Sequence, residues 1–159
     1  MGDSLIRLAK QYDLDKIVEL WYEMSVFHEK IDSYFQLSSD CKRRYQEILF
    51  QHINNSESAI FVYERNQNLL GYIFIKIELR ASVFATRRTG FIQELSVTEK
   101  ERRLGIGQQL LTVAMKWFEN QSIAEVSCHF SPQNSYSSEF WKKNGFSPKL
   151  TTATYFYMK

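Results

Sequence analysis

The sequence predicts a mixed α/β domain in which a strand meander feeds a βαβ unit. Three observations carry this reading. Two β-rich runs, 59–63 and 69–79, flank a polar break at 64–68, which is the pattern of a hairpin. A third β-rich run at 91–97 leads through a glycine-containing turn into an amphipathic stretch at about 105–120, and a further strand-like run follows at 123–130. Finally, 159 residues with 44% hydrophobic content suffice for one sizeable core and exclude a disordered chain. Six Gly and two Pro leave no linker, and no internal repeat is visible, so 1–159 reads as a single domain.

Each element has its own warrant. Residues 5–8 read as a short opening strand. Asp13 then precedes a helical pattern in which Leu14, Ile17, Val18, Trp21 and Met24 or Ser25 share one face. Tyr45, Ile48, Leu49 and His52 recur at helical spacing and predict a second helix within 39–53. In the second hairpin strand, Ile73, Ile75, Ile77 and Leu79 alternate with Tyr72, Phe74, Lys76 and Glu78, so the isoleucine side faces a core. Segment 82–89 reads as exposed. The long helix carries Ile106, Leu110, Leu111, Ala114, Met115, Trp117 and Phe118 as a broad apolar stripe. A short helix at 132–143 follows the strand at 123–130, and strand-like segments close the chain at 146–150 and 154–158. The order is β-α-α-β-β-β-α-β-α-β(-β), a sheet of about six or seven strands flanked by about four helices.

Charge and cysteine usage narrow the function classes. The net charge is +2, from 20 basic and 18 acidic residues, without the concentrated basic footprint of a nucleic-acid binder. The short basic clusters at 42–44 and 87–88 read as solvated surface. Cys41 and Cys128 form no C-x-x-C pair, and His28, His52 and His129 are scattered, so neither a disulfide framework nor a metal site is expected. His129 sits beside Cys128, but neighbours on a strand point to opposite faces, which argues against a cysteine nucleophile. No secretory leader or membrane span is visible, and Ile6 stands where a myristoylation signal needs Ser or Thr. The expectation is a cytoplasmic protein with no membrane or nucleic-acid partner.

The most informative stretch is Arg102-Arg103-Leu104-Gly105-Ile106-Gly107-Gln108, between a strand and the long helix. A helix N-terminus offers unpaired N–H groups and the positive end of the macrodipole, and so suits an anion. Gly105 and Gly107 let a phosphate approach the backbone, and the arginines add charge. The P-loop pattern is absent, and a dinucleotide fingerprint needs a third glycine where Leu110 stands.

These residues resemble the GNAT N-acetyltransferase superfamily. Its first pattern is Arg or Gln, two residues, Gly, one residue, then Gly or Ala, matched by Arg102, Gly105 and Gly107. Its second pattern is carried here by Asn134, Ser137, Trp141, Gly145 and Phe146. The likeness in element order runs over nearly the whole chain. It implies a GNAT-like, strongly twisted mixed sheet that splays between the strands at 91–97 and 123–130, with acetyl-CoA in the split. By position, the backbone of Leu95, Ser96 and Val97 would lie along the pantetheine arm. The amides of Arg103, Leu104, Gly105, Ile106, Gly107 and Gln108, with Arg102, would hold the pyrophosphate, and Asn134 and Trp141 would contact the coenzyme.

The implied reaction is acetyl transfer to a primary amine of a small molecule or peptide, by direct attack in a ternary complex. The backbone N–H of Leu95 is positioned by the resemblance as the oxyanion donor. If Leu95 and Val97 point into the core, Glu94 and Ser96 point to the other face, toward an acceptor cleft. Glu94 then either takes the amine's proton or only binds the cationic amine. Many family members carry Tyr where this chain has Trp141, and indole supplies no proton at neutral pH. Tyr136 could substitute as the acid, Ser137 or Ser138 could organise a water, or thiolate release needs no dedicated acid because a thiol titrates near 8.5. Tyr22 and His28 belong to an aromatic and acidic stretch suited to a cationic acceptor, although most of its rings are expected in the core. The alternative reading is a catalytically weak acyl-CoA-binding module of the same fold. Edge strands near the C-terminus make a homodimer a reasonable expectation.

Overall fold

The central hairpin sets the frame of the sheet. The computed structural model of the chain describes residues 3–157. Strand β2 (Ser58–Arg65) and strand β3 (Asn68–Leu79) are joined by Asn66 and Gln67 alone, both at positive φ, 52° and 63°. Two consecutive left-handed residues make the tight turn whose twist matches that of paired strands. Both strands therefore extend into the polar break, which is two residues long and not five.

Around this hairpin, β1 (Ser4–Leu8) pairs antiparallel with β2, and β4 (Arg88–Val97) pairs antiparallel with β3. β5 (Val126–Cys128) pairs parallel with β4, giving the order β1-β2-β3-β4-β5. Among the described residues, the expected sheet of six or seven strands is thus a five-stranded one. Residues 146–150 and 154–157 form no strand, and Leu150, Tyr155 and Tyr157 are exposed; Met158 lies outside the described residues. Strand propensity is realised only when a segment is paired and half-buried, and Pro148 also lacks a ladder donor. The strand expected at 123–130 shrinks to three residues.

Two compact units divide the chain after His129. The first holds the sheet with helices α1 (Leu14–Ile31), α2 (Cys41–His52) and α3 (Ile106–Asn120). The second holds α4 (Ser135–Lys143). Helices cover both faces of the sheet, so β3 is buried on both sides and not on its isoleucine side alone. Tyr72 and Phe74 join Ile17, Val18, Leu20, Tyr45 and Leu49 in the core under α1 and α2. On the other face Gly71 approaches Leu110 of α3, and alternation sends Ile73 and Ile75 the same way. Burial of each such side chain contributes about 1.5–3 kcal/mol. The periodic pattern outruns the core at its end, where Leu79 is exposed.

The start of α1 is fixed by charge. Asp13 is buried, takes both guanidinium arms of Arg7 (2.7 and 3.0 Å), and accepts the Lys10 backbone N–H at 2.7 Å. This locks the turn between β1 and α1. No helix among the described residues is long and apolar enough to cross a membrane.

Candidate active site

The sheet offers one open backbone edge in its middle. β4 pairs with β3 from Arg88 to Val97, but with β5 only through Gly90, Phe91 and Ile92. Between Ile92 and Glu94 the register slips, because Phe74 faces Glu94 while Ile75 faces Ile92, and Gln93 is the extra residue of a bulge. Gly90 N–H donates to Glu125 O, so even-numbered residues face β5 before the bulge. Thr98 N–H donates to Leu70 O, and antiparallel alternation then turns the backbone groups of Glu94 and Ser96 to β3. The N–H and C=O of Leu95 and Val97 are left on the outer edge, where β5 no longer follows. Arg102 donates from Nε to the Val97 carbonyl at 3.0 Å.

That edge runs into the N-terminus of α3. After Val97 the chain makes a single helical turn, Glu99–Glu101, and reaches Arg103 at φ 64° and Gly105 at φ 82°. Glycine suits the left-handed N-cap at 105, and a Cβ there would meet nothing within 4 Å, so the space before it is open. No side chain caps the helix, and its first backbone bond is Gln109 N–H to Gly105 O. The amides of Ile106, Gly107 and Gln108 therefore have no intrahelical acceptor. Ile106 is buried and anchors the turn, while Arg102, Arg103, Leu104 and Gln108 are exposed. Glu23 of α1 holds the whole loop: it accepts Glu99 N–H (2.7 Å), Thr98 Oγ1–H (3.1 Å) and Arg102 (3.4 Å).

The bulge also sets the side chain of Glu94 on the α1/α2 face. Its Oε2 accepts the phenol of Tyr45 from α2 at 2.5 Å and that of Tyr72 from β3 at 2.7 Å; the two phenol oxygens are 3.0 Å apart. Trp21 of α1 donates to the same carboxylate and stacks flat on Tyr45, with centroids 4.3 Å apart. Burial raises the Glu94 carboxyl above its usual range, and the three donors only partly offset this. Burial first, and the charge of Glu94 second, push both phenols well above their ordinary value, so they remain donors.

The other expected residues are distributed as follows. Ser96 is buried and its hydroxyl donates to Leu20 O at 3.1 Å, so its side chain is turned away from the open edge. Tyr22 lies under Lys42 Nζ (4.2 Å) and lines a pocket of about 480 Å³ with Glu29, Asp40 and Lys42. His28 sits between the rings of Phe27 and Phe35; burial, then the nearby charge of Arg102, lower its pKa. In the second unit, Asn134 caps α4 by accepting Ser137 N–H at 3.1 Å. Trp141 is buried between Phe140 and Phe146 and donates Nε1–H to Ser137 Oγ, while Tyr136 is exposed. Cys128 is pushed up to about 12 by burial, unlike a reactive thiol.

Sequence reasoning missed Tyr45 and Tyr72 as partners of Glu94. The only signal was parity: Tyr72 lies on the non-isoleucine side of its strand, and Glu94 on the side away from Leu95.

A split sheet whose open strand edge ends at an uncapped, glycine-led helix is the architecture of an N-acetyltransferase fold. The acetyltransferase (GNAT) family model matches residues 5–146, and the chain belongs to that family. An N-alpha-acetyltransferase of Sulfurisphaera tokodaii is 30% identical over 146 residues, covering 89% of this chain and 78% of that protein. A tetramutant of the BH1408 protein from Bacillus halodurans shares the fold with a TM-score of 0.82 at 17% identity, over 95% of this chain and 98% of that one. An aminoglycoside N-acetyltransferase, AAC(6')-Iy in complex with CoA, matches with a TM-score of 0.71 at 18% identity, over 100% of this chain and 96% of that one.

Proposed function

We propose that the protein transfers an acetyl group from acetyl-CoA to a primary amine of a small molecule or peptide, by direct attack in a ternary complex. The observation that carries this reading is the β4 edge left unpaired beyond Ile92 and continuous with the bare N-terminus of α3. Its chemistry fits the coenzyme. The Leu95 and Val97 backbone groups match the amides of a pantetheine arm, and the amides of residues 103–108, with the Arg102 and Arg103 charges, match a pyrophosphate. Bound acetyl-CoA supplies an acetyl group activated as a thioester. The Leu95 N–H is the donor for the developing oxyanion. Glu94, raised by burial, takes the proton of the attacking amine, directly or through a water.

Tyr22 and His28 of α1 are assigned to the acceptor side with Glu94, whereas Asn134 enters this reading by its motif position alone and Tyr136, which is not a motif position, only by its nearness to Asn134 in the sequence. No step is given to Trp141, whose N–H is engaged by Ser137. The N-alpha-acetyltransferase relative supports testing peptide α-amines first.

The test is thiol release from acetyl-CoA with free α-amino tetrapeptides, spermidine and kanamycin as acceptors. A thermal-shift titration with acetyl-CoA runs beside it. Ligand at about 100 times Kd stabilises by about 2.7 kcal/mol, or about 5–10 °C. The expected result is a shift that folded Gly107→Glu loses, with amine-dependent thiol release. A shift without release by any acceptor supports the acyl-CoA-binding module instead. No shift with acetyl-CoA overturns both.

A further inference from the structure

Glu94 and Asp13 are two carboxylates with opposite partners. Asp13 is paired with the Arg7 guanidinium and held below its usual range, despite the burial that works against it. Glu94 meets neutral donors and is raised. An arginine would pin a carboxylate in its ionised form, whereas phenols orient it and leave it able to take up a proton. We propose that Tyr45 and Tyr72 are positioning residues, whose two phenols hold Oε2 of Glu94 and set how readily that carboxylate is protonated. The proposal bears on catalysis through the base role given to Glu94 above, and so rests on that reading.

The geometry favours a device over incidental contact. Tyr45 Oη, Tyr72 Oη and Glu94 Oε2 form a triangle with edges of 2.5, 2.7 and 3.0 Å. With Glu94 ionised, the two phenols supply two hydrogens, both pointing to Oε2, and the phenol–phenol edge has none. A proton arriving on Oε2 gives three hydrogens for three edges. Glu94 then donates to one phenol, that phenol turns its hydrogen to the other, and the second still donates to Oε2. One O–H bond forms, no heavy atom moves, and every hydrogen keeps an acceptor, as buried hydroxyls require.

Each corner is held by a different element. Tyr45 comes from α2 and is stacked under Trp21 of α1, Tyr72 comes from β3, and the Gln93 bulge sets the facing of Glu94 on β4. The titratable groups facing Glu94 are these two tyrosines, with Trp21 as a neutral donor. The acidic residues of α1 on either side are engaged elsewhere, Glu19 with Lys42 and Glu23 with the loop before α3.

The test is direct titration of Glu94 by NMR in protein carrying a 13C-labelled glutamate carboxyl, the Glu94 signal being assigned with Glu94→Gln. Tyr45→Phe and Tyr72→Phe each remove a donor from the carboxylate, and each is expected to raise its midpoint by about one pH unit. Global replacement of tyrosine by 3-fluorotyrosine makes the phenols stronger donors and is expected to lower the midpoint, so the proposal stays testable if a Phe variant does not fold. An unmoved midpoint in folded Phe variants, or in the fluorinated protein, overturns the proposal. The acid limb of kcat/KM with the best tetrapeptide acceptor is measured in parallel. If it follows the NMR midpoint, both readings stand. If the midpoint moves and the limb does not, the phenol clamp stands and Glu94 is not the base.

Discussion

Arg102 donates from Nε to the carbonyl of Val97, 3.0 Å away, and so joins the glycine turn to the last residue of the open strand edge. The same guanidinium reaches Glu23 of α1 at 3.4 Å, in a half-exposed setting. A carbonyl has two lone pairs, so Val97 O can serve Arg102 and a ligand amide together. Arg102→Ala therefore removes charge and loop order without opening the core. The expected result is acetyl-CoA binding weakened about five- to tenfold by calorimetry, from the loss of about 1 kcal/mol of screened interaction. That difference should shrink as salt is added. Unchanged affinity at low salt would remove Arg102 from the proposed coenzyme site.

Asp13 ties Arg7, Lys10 and the first turn of α1 together from a buried position. Asp13→Asn keeps the shape and removes the charge, leaving Arg7 with the Glu64 carboxylate and the Leu8 carbonyl. The expected loss is about 2–3 kcal/mol in urea unfolding, below the usual cost of breaking a buried pair because one carboxylate partner remains. The pH dependence follows from the sign of the shift. A carboxyl held below its ordinary value of 3.8 stabilises the fold above that value, and the effect is lost as pH falls through the lower folded value. The gap between wild type and variant is thus flat from about pH 5 to 8 and closes below about pH 4.

Much of this architecture was legible as periodicity. Leu14, Ile17 and Val18 at helical spacing, and the alternation from Tyr72 to Ile77, describe elements whose packing repeats along the chain. What could not be read was set by pairing between distant segments. The Gln93 bulge depends on β3 and β4 being in register, and no propensity marks it. The strand-like residues 146–150 lacked a partner, and a strand without one is only a tendency. At the candidate site, the glycines and arginines before α3 were visible because a helix start is local. The contact of Tyr45 with Glu94 spans 49 residues and was invisible for that reason.

Gly90 lies where β4 still pairs with β5, one face of it against the ring of Phe118 on α3. An added Cβ would stand 2.6 Å from that ring, closer than real contacts allow. The ring is buried among α3 and sheet residues and has little room to yield. Gly90→Ala is therefore expected to cost about 1–3 kcal/mol through overpacking, read by thermal or urea unfolding. Stability within about 0.5 kcal/mol of wild type would show that α3 can slide on the sheet.

Glu94→Gln separates the proposed chemical role of the carboxylate from its structural one. The amide oxygen can still accept the phenols of Tyr45 and Tyr72, so the triangle keeps its shape while the proton acceptor is lost. The expected kcat falls by about 10²–10⁴, with acetyl-CoA affinity unchanged. Stability should move the opposite way with pH from that of Asp13. A carboxyl raised above its ordinary value of 4.5 carries no penalty while protonated in both states. The penalty grows as pH rises from 4.5 through the folded value, because the unfolded chain ionises first. Glutamine escapes it. The Tm of Glu94→Gln relative to wild type should therefore rise as pH climbs above about 4.5 and level off once pH passes the folded value, whatever the variant's activity. A difference that stays flat across that interval would mean that Glu94 titrates in the fold as it does in water, and the case for burial as the source of its basicity would be lost.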